Sequence, residues 1–256
     1  MVSALADRPR ADDLAALRAE LGRARPARGP VLAFDIAELD DRLAGYGLDG
    51  AGLHEVAAAS PTLNDDAAAT LFAAGIAARF ASRRGSDIFW TASQFDLYAP
   101  GLEQAGIAPD TIVYAQGKKD SIVLAMAEDA LRDGSFACVI AEVKAADQTA
   151  TRRLQLAASD GGRPVLLYRR HRRLGRCPLS GLSSAMTRWR IGCAPSAPLP
   201  HPGVGRARWL VELVRQRNGN PFSLELEACD DTGRLALPAA APNRAVAMGG
   251  AAIQAA

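Results

Sequence analysis

The chain has 256 residues, 49% hydrophobic and 23% charged, which suits one globular α/β domain with short extensions. No early apolar run follows a basic start, and no stretch approaches the roughly 18 apolar residues of a membrane span; a signal peptide and membrane insertion are not expected, and the cytoplasm is. The four cysteines, Cys138, Cys177, Cys193 and Cys229, form no C-x-x-C pair, which argues against a zinc site or redox motif. The net charge of +2 hides a division. Residues 163–217 hold twelve arginines, no lysine and one acid, Glu212, a net +11, so the remainder carries −9. Such a segment predicts an anionic partner, nucleic acid first, or an Arg-rich solvated surface.

In chain order, Asp12-Asp13 precedes Leu14, Leu17 and Leu21, with Gly22 after them, predicting a capped helix over 12–21. The Arg/Pro/Gly stretch 22–30 reads as a linker, so 1–30 is expected to be a helix and linker ahead of a core over 31–237. Ile36, Leu39 and Leu43 mark a second short helix ending near Gly45, and "LHEV" (53–56) is a strand candidate after a Gly-rich turn. A helix from Asn64 carries Leu71, Phe72, Ile76 and Phe80. Strand and helix patterns then alternate. "DIFWTAS" (87–93), "TIVYAQ" (111–116), "FACVIAEV" (136–143) and "PVLLYRR" (164–170) read as strands. Helices fall near 98–105, over "DSIVLAMAEDALRDG" and over "QTATRRLQLAAS". This alternation predicts a mainly parallel sheet with helices on both faces.

From 183 to 229 the pattern changes. "AMTRWRI", "RWLVELVRQR" and "FSLELEAC" leave no room for crossover helices, and "RNGNP" is a hairpin turn, so a C-terminal antiparallel β extension is expected. The Ala-rich tail 238–256 has no periodic face and is expected to be disordered.

The junction "EVAAASPTLNDDAA" (55–68) runs from a strand into a helix, where nucleotide-binding α/β proteins place a phosphate cradle. A cradle needs glycines, whose backbone N–H groups approach the phosphates, and a Lys-Ser/Thr pair. This loop has neither glycine nor lysine. Asp65 and Asp66 fall in the first helical turn, where they cap the macrodipole and repel a triphosphate; Thr62 or Asn64 is the expected N-cap. His54, His171 and His201 lack metal-ligand spacing, no G-x-S-x-G is present, and His54 reads as structural.

The order of elements carries a resemblance. "VLAFDIAELDDRLAGYGLDGAGLHEV" is similar to the segment that leads into the P-loop of RecA recombinases. "RWLVELVRQRNGNPFSLELEACDDTG" is similar to the basic hairpin near the end of their core. With the short length, "GLHEV", the decayed phosphate loop and the Arg-rich second half, the chain resembles more narrowly the ImuA family, RecA-like proteins of bacterial damage-induced mutagenesis cassettes. The resemblance spans roughly residues 10–235. It implies a RecA-like fold and a role as a non-catalytic adaptor in SOS-induced translesion DNA synthesis. The implied partners are ImuB, an error-prone replicative-type polymerase, RecA and single-stranded or primed DNA.

The RecA pattern also locates what is missing. The water-activating glutamate would follow "DIFWTAS", where Ser93, Gln94 and Phe95 stand. Glu142 matches the acid that holds Mg²⁺ through water, without the lysine and glycine loop that would be its partners; alone, it reads as well as a carboxylate paired with an Arg or Lys144. A pseudo-ATPase is expected, with no catalytic residue, cofactor or metal. A divergent DNA-dependent ATPase and a SulA-like cell-division inhibitor are the alternatives. In RecA-like proteins the chain leaving the "PVLLY" strand contacts DNA, so the expected DNA-binding set is Arg169, Arg170, Arg172, Arg173, Arg176, Arg188, Trp189 and Arg190. Arginines bind phosphates, and an exposed tryptophan can stack on a base, although Trp189 and Trp209 lie in strand-like runs where packing competes.

Overall fold

The structure, a computed structural model, describes residues 29–94, 96–171, 176–197, 199 and 202–238. The expected helix over 12–21, the tail over 238–256 beyond Pro238, and Arg172 and Arg173 lie outside these residues.

The described elements begin with a two-residue strand β1 (Val31–Leu32), a short helix α1 (Ala37–Asp40) and β2 (Leu48–Asp49), which pairs antiparallel with β1. The main sheet follows: β3 (Leu53–Ala58), α2 (Leu63–Arg84), β4 (Ile88–Ala92), α3 (Ala99–Gln104), β5 (Ile112–Gln116), α4 (Asp120–Asp133), β6 (Cys138–Val143), α5 (Gln148–Gly161) and β7 (Val165–Arg169). Three strands close it: β8 (Thr187–Ala194), β9 (Arg208–Gln216) and β10 (Phe222–Glu227). The spatial order is β10-β9-β8-β3-β7-β6-β4-β5.

Every expected core strand forms, and β3, β6 and β7 are buried along their whole length. Continuous apolar runs are what two covered faces require. The C-terminal antiparallel extension forms, joined to the parallel sheet through β8. β8 runs parallel to β3, pairing Val56 with Trp189, and only β8–β9 and β9–β10 are antiparallel. The Met186 N–H pairs with the Leu53 carbonyl at 2.8 Å, so the chain joins the sheet beside the start of β3 and β8 runs in the same direction.

α2 is long, about 33 Å at 1.5 Å per residue. Thr62 caps its start, its hydroxyl accepting the Asp65 N–H at 3.4 Å, and Gly85 ends it at φ +62°. Its buried stripe is mostly alanine with Phe72, Ile76 and Phe80, so the helix lies close on the sheet. On that face Trp189 is fully buried. Its ring centroid lies 5.7 Å from Phe72, 5.9 Å from Phe34 and 6.2 Å from Phe222. α4 and α5 cover the opposite face of β4, β6 and β7, with Val123, Leu131 and Leu154 against Val139, Val143, Val165 and Leu167. The hairpin turn is as expected, with Asn218 at φ +63° between β9 and β10.

Candidate functional site

The β3–α2 loop spans only residues 59–62. Two of its N–H donors are engaged: that of Ala59 pairs with the Ile191 carbonyl on β8 at 2.7 Å, and that of Thr62 reaches the Ser60 hydroxyl at 3.4 Å. Asp65 accepts from the Ser60 hydroxyl at 2.5 Å and from the Cys193 N–H at 2.8 Å, tying the helix start to β8. The capping expected of Thr62 is observed.

Beside this loop the carboxyl ends of β6 and β7 bring together a network of charges. Arg170, one residue past β7, sends Nε to Glu142 Oε2 at 2.7 Å and Nη1 to Asp66 Oδ2 at 2.6 Å. Its Nη2 reaches Asp96 Oδ1 at 3.0 Å. The guanidinium also lies 5.2 Å from the Tyr168 ring centroid. Trp90 Nε1–H donates to the other oxygen of Glu142 at 2.7 Å, and the Tyr168 hydroxyl donates to Asp66 Oδ1. One cation thus stands among three carboxylates, a formal local charge of −2. Burial pushes the Glu142 carboxyl up, against Arg170 and Trp90. Burial alone would lower Arg170; Glu142 and Asp66 more than offset it and hold the group charged. Burial and the neighbouring Asp66 push the Tyr168 phenol up, so it keeps the proton it donates.

This network occupies the end of the sheet where the acids of a nucleotide site would act. Glu142 is present there, but both its oxygens are engaged by Trp90 and Arg170. Gln94 is exposed past β4. A triphosphate would meet two extra negative charges and no uncommitted cation from Arg170. Tyr168, Asp96 and Trp90 were not singled out by sequence. Tyr168, alone among four apolar or basic neighbours in "VLLYR", was the available signal.

The expected nucleic-acid residues separate into groups. Arg169 and Arg188 are buried, not exposed: both bind Glu55, which has no exposed surface, at 2.6 Å and 2.5 Å. They also donate to the carbonyls of Ala146 and Gly181. Trp189 is core, its indole N–H bonded to Thr187 Oγ1 at 2.7 Å. Arg170 is committed to the network above. Arg190 pairs with Glu212 at 2.5 Å. Arg176 is exposed. The excess of +11 over 163–217 is therefore largely neutralised in space. Six of its arginines (169, 170, 188, 190, 206 and 208) pair with carboxylates, and all of these except Glu212 come from outside the segment. His54 is structural, as expected. It is buried, with Nδ1 at 2.7 Å from Thr187 Oγ1 and Nε2 at 2.9 Å from the Asp49 carbonyl, and burial lowers its pKa. Among the described residues no group of three or more His, Cys, Asp or Glu is arranged to hold a metal ion, and no helix is long and apolar enough to cross a membrane.

No family model matches the chain. Among solved structures, the RadB recombinase aligns over 81% of this chain and all of its own, with TM-score 0.53 and 13% identity, which supports the fold alone. SulA from Pseudomonas aeruginosa aligns over 46% of this chain and 97% of its own at TM-score 0.40 and 22% identity. Two curated relatives, both called Protein ImuA and from two strains of Caulobacter vibrioides, are 38% identical over 204 residues, covering 78% of this chain and 84% of theirs. With that identity spread over most of both sequences, on a RecA-like sheet, the chain belongs to the ImuA family.

Proposed function

We propose that the chain is a non-catalytic RecA-like adaptor of damage-induced mutagenesis, which neither binds nor hydrolyses ATP. It works by holding partners: ImuB with an error-prone polymerase, RecA, and single-stranded or primed DNA. The observation that carries the reading is Arg170 seated among Asp66, Asp96 and Glu142, beside a four-residue loop without glycine or lysine. An internal guanidinium takes the cationic role that Mg²⁺ and a P-loop lysine play in an ATPase. The site then folds without nucleotide, and the carboxyl ends of the strands are free for protein and DNA contacts. Isothermal titration with Mg-ATP at about 100 µM protein is expected to show no binding heat, a concentration at which Kd values as weak as about 10⁻⁴ M become visible. Micromolar affinity would restore the divergent ATPase.

The DNA arm of this reading rests on the segment after β7. With Arg169, Arg170 and Arg188 committed to carboxylates, the phosphate contacts fall to Arg172, Arg173 and the exposed Arg176. Three contacts predict that log K for a labelled single-stranded oligonucleotide falls with log salt at a slope of about −2, from roughly −0.7 per phosphate. The triple alanine variant is expected to lose that slope and to keep its thermal midpoint, since Arg176 is exposed and exposed charges stabilise little. Anisotropy titrations from low to physiological salt measure both quantities. Unchanged DNA binding with lost capture of ImuB or RecA would move the cluster to protein docking.

A further inference from the structure

A cavity lies at the opposite end of the sheet from the Arg170 network, by the amino-terminal ends of β3 and β8. Its volume is about 670 Å³, within the range of ligand pockets, roughly 300–1,000 Å³. The turn before β2, one side of α5, the approach to β8 and the β9–β10 hairpin enclose it. Side-chain hydrogen bonds fix these walls. Gln216 accepts from the Ala44 N–H at 3.0 Å and donates to the carbonyls of Arg42 and Asn220, locking the turn to the hairpin. Gln155 accepts the Leu53 N–H at 2.9 Å and donates to Ser159, locking α5 to β3. His54 closes the floor, bonded to Thr187 and to the Asp49 carbonyl. The cavity is thus built into the fold rather than a gap between loose loops.

Its chemistry has two parts. Val31, Leu156 and Met186 supply apolar wall, and Leu156 is half exposed on α5, a turn of helix where water would otherwise meet a leucine. Arg152 and Arg217 line the same cavity, are exposed, and have no carboxylate partner among the described residues. Among the described arginines only Arg176 shares with them a side chain that has no ion pair, carbonyl or ring partner; Arg42, Arg83, Arg84, Arg163 and Arg215, also without a carboxylate, engage carbonyls or a ring. The acid of the lining, Asp49, has Oδ1 bound to the backbone N–H groups of Gly29 and Ala51. The mouth is therefore cationic, and the interior is largely apolar and shaped.

We propose that this cavity is a docking site for an acidic peptide segment of a partner protein. One bulky apolar side chain of the peptide enters between Leu156 and Met186, and carboxylates flanking it pair with Arg152 and Arg217. Arginine suits this use because its planar fork meets a carboxylate in a bidentate way. A nucleic acid strand fits less well: two cations neutralise few phosphates, and the walls between them are aliphatic. The site is separate from the nucleotide-derived end, so it stands whether or not that end binds ATP.

A library of random ten-residue peptides displayed on phage, selected on the full-length protein without nucleotide, tests the proposal. Sequences enriched in Asp or Glu around Leu, Ile, Met or Phe are expected. A synthetic peptide of the enriched sequence is expected to bind the Arg152→Glu/Arg217→Glu variant at least about tenfold more weakly, since two exposed ion pairs are lost and reversed. A separate Leu156→Asp variant is expected to weaken it similarly through the apolar contact. Both sites are exposed, so thermal midpoints close to the parent's separate lost binding from lost folding. Basic or unenriched selections, or peptides that bind the charge-reversed variant as well as the parent, would overturn the proposal. So would a single-stranded oligonucleotide that displaces the peptide, which would make the site nucleic-acid binding. A synthetic peptide of residues 8–22 of this chain that outcompetes the selected sequences would assign the cavity to the chain's own amino-terminal segment and overturn the partner.

Discussion

Glu55→Ala is expected to destabilise the protein by about 3–5 kcal/mol, the cost of leaving buried charge uncompensated. Glu55 sits in the middle of β3 with no exposed surface, and its two oxygens bind Arg169 on one neighbouring strand and Arg188 on the other. Removing it leaves two guanidinium groups, each under a tenth exposed, facing each other across an empty site. Arg169 Nε and Arg188 Nη2 lack hydrogen-bond partners among the described residues even in the parent, so little remains to absorb the charge. For a domain of this size each kcal/mol moves the thermal midpoint by about 2–4 °C, so a fall of roughly 6–20 °C is expected, or failure to fold. Urea unfolding at neutral pH measures the loss. Glu55→Gln is expected to lose nearly as much, because an amide keeps shape but not charge. The informative comparison is Glu55→Met/Arg169→Leu/Arg188→Met, which removes the triad whole. Similar volume without charge is expected to leave stability close to the parent's or above it. A triple variant as unstable as Glu55→Ala would mean that the triad contributes net stability and not merely a mutual debt.

This triad explains how far the sequence could be read. The strands were legible because "FACVIAEV" and "PVLLY" are apolar beyond what one buried face needs, "LHEV" follows a Gly-rich turn, and alternation with helical spacing left few other folds. The closed phosphate loop was legible as missing glycine and lysine at a junction whose position the strand fixed. The placement of the arginines was not. Glu55 and Arg188 are 133 positions apart, and Arg170 and Asp66 are 104 apart. No local pattern joins them, because the joining is done by strand order: β3 lies between β7 and β8. Two signals were present all the same. A glutamate inside the apolar run "LHEVAA" requires a buried partner. A segment at +11 within a chain at +2 requires its counter-charges elsewhere in the same molecule, or a partner that brings them. The sheet supplies the first explanation for six arginines. Of the other described arginines in the segment, Arg163 and Arg215 donate to the carbonyls of Gly134 and Ser183, and the second explanation remains for Arg176 and Arg217, as it does for Arg152 outside the segment.

Arg170→Met is expected to cost about 3 kcal/mol at pH 8 and clearly less at pH 5. The magnitude sits at the low end for a broken buried pair because a fifth of the Arg170 side chain is exposed. The pH dependence follows from Glu142. Burial already raises its carboxyl above the ordinary range, and Arg170 is the leading opposing influence. Without Arg170 the carboxyl rises further. A group whose folded pKa exceeds its unfolded value, about 4.3 for glutamate, contributes stability that is present below the unfolded pKa and lost as pH rises through the folded one. At pH 5 the variant can protonate Glu142 and keep Trp90 as its donor; at pH 8 it must bury a bare carboxylate. In the parent, Arg170 stays charged throughout, so the difference between parent and variant widens as pH rises from 5 to 8. Urea midpoints for both proteins at the two pH values give that difference. Adding Glu142→Gln to Arg170→Met is expected to flatten the dependence and recover most of the loss, since Asp66 and Asp96 are the more exposed carboxylates and solvent screens them. An equal loss at both pH values would show that Arg170 acts through packing on Tyr168 rather than as the counter-charge that closes the site. In that case Mg²⁺ binding by the variant's carboxylates becomes the measurement that decides whether any trace of an ion site is left at this end of the sheet.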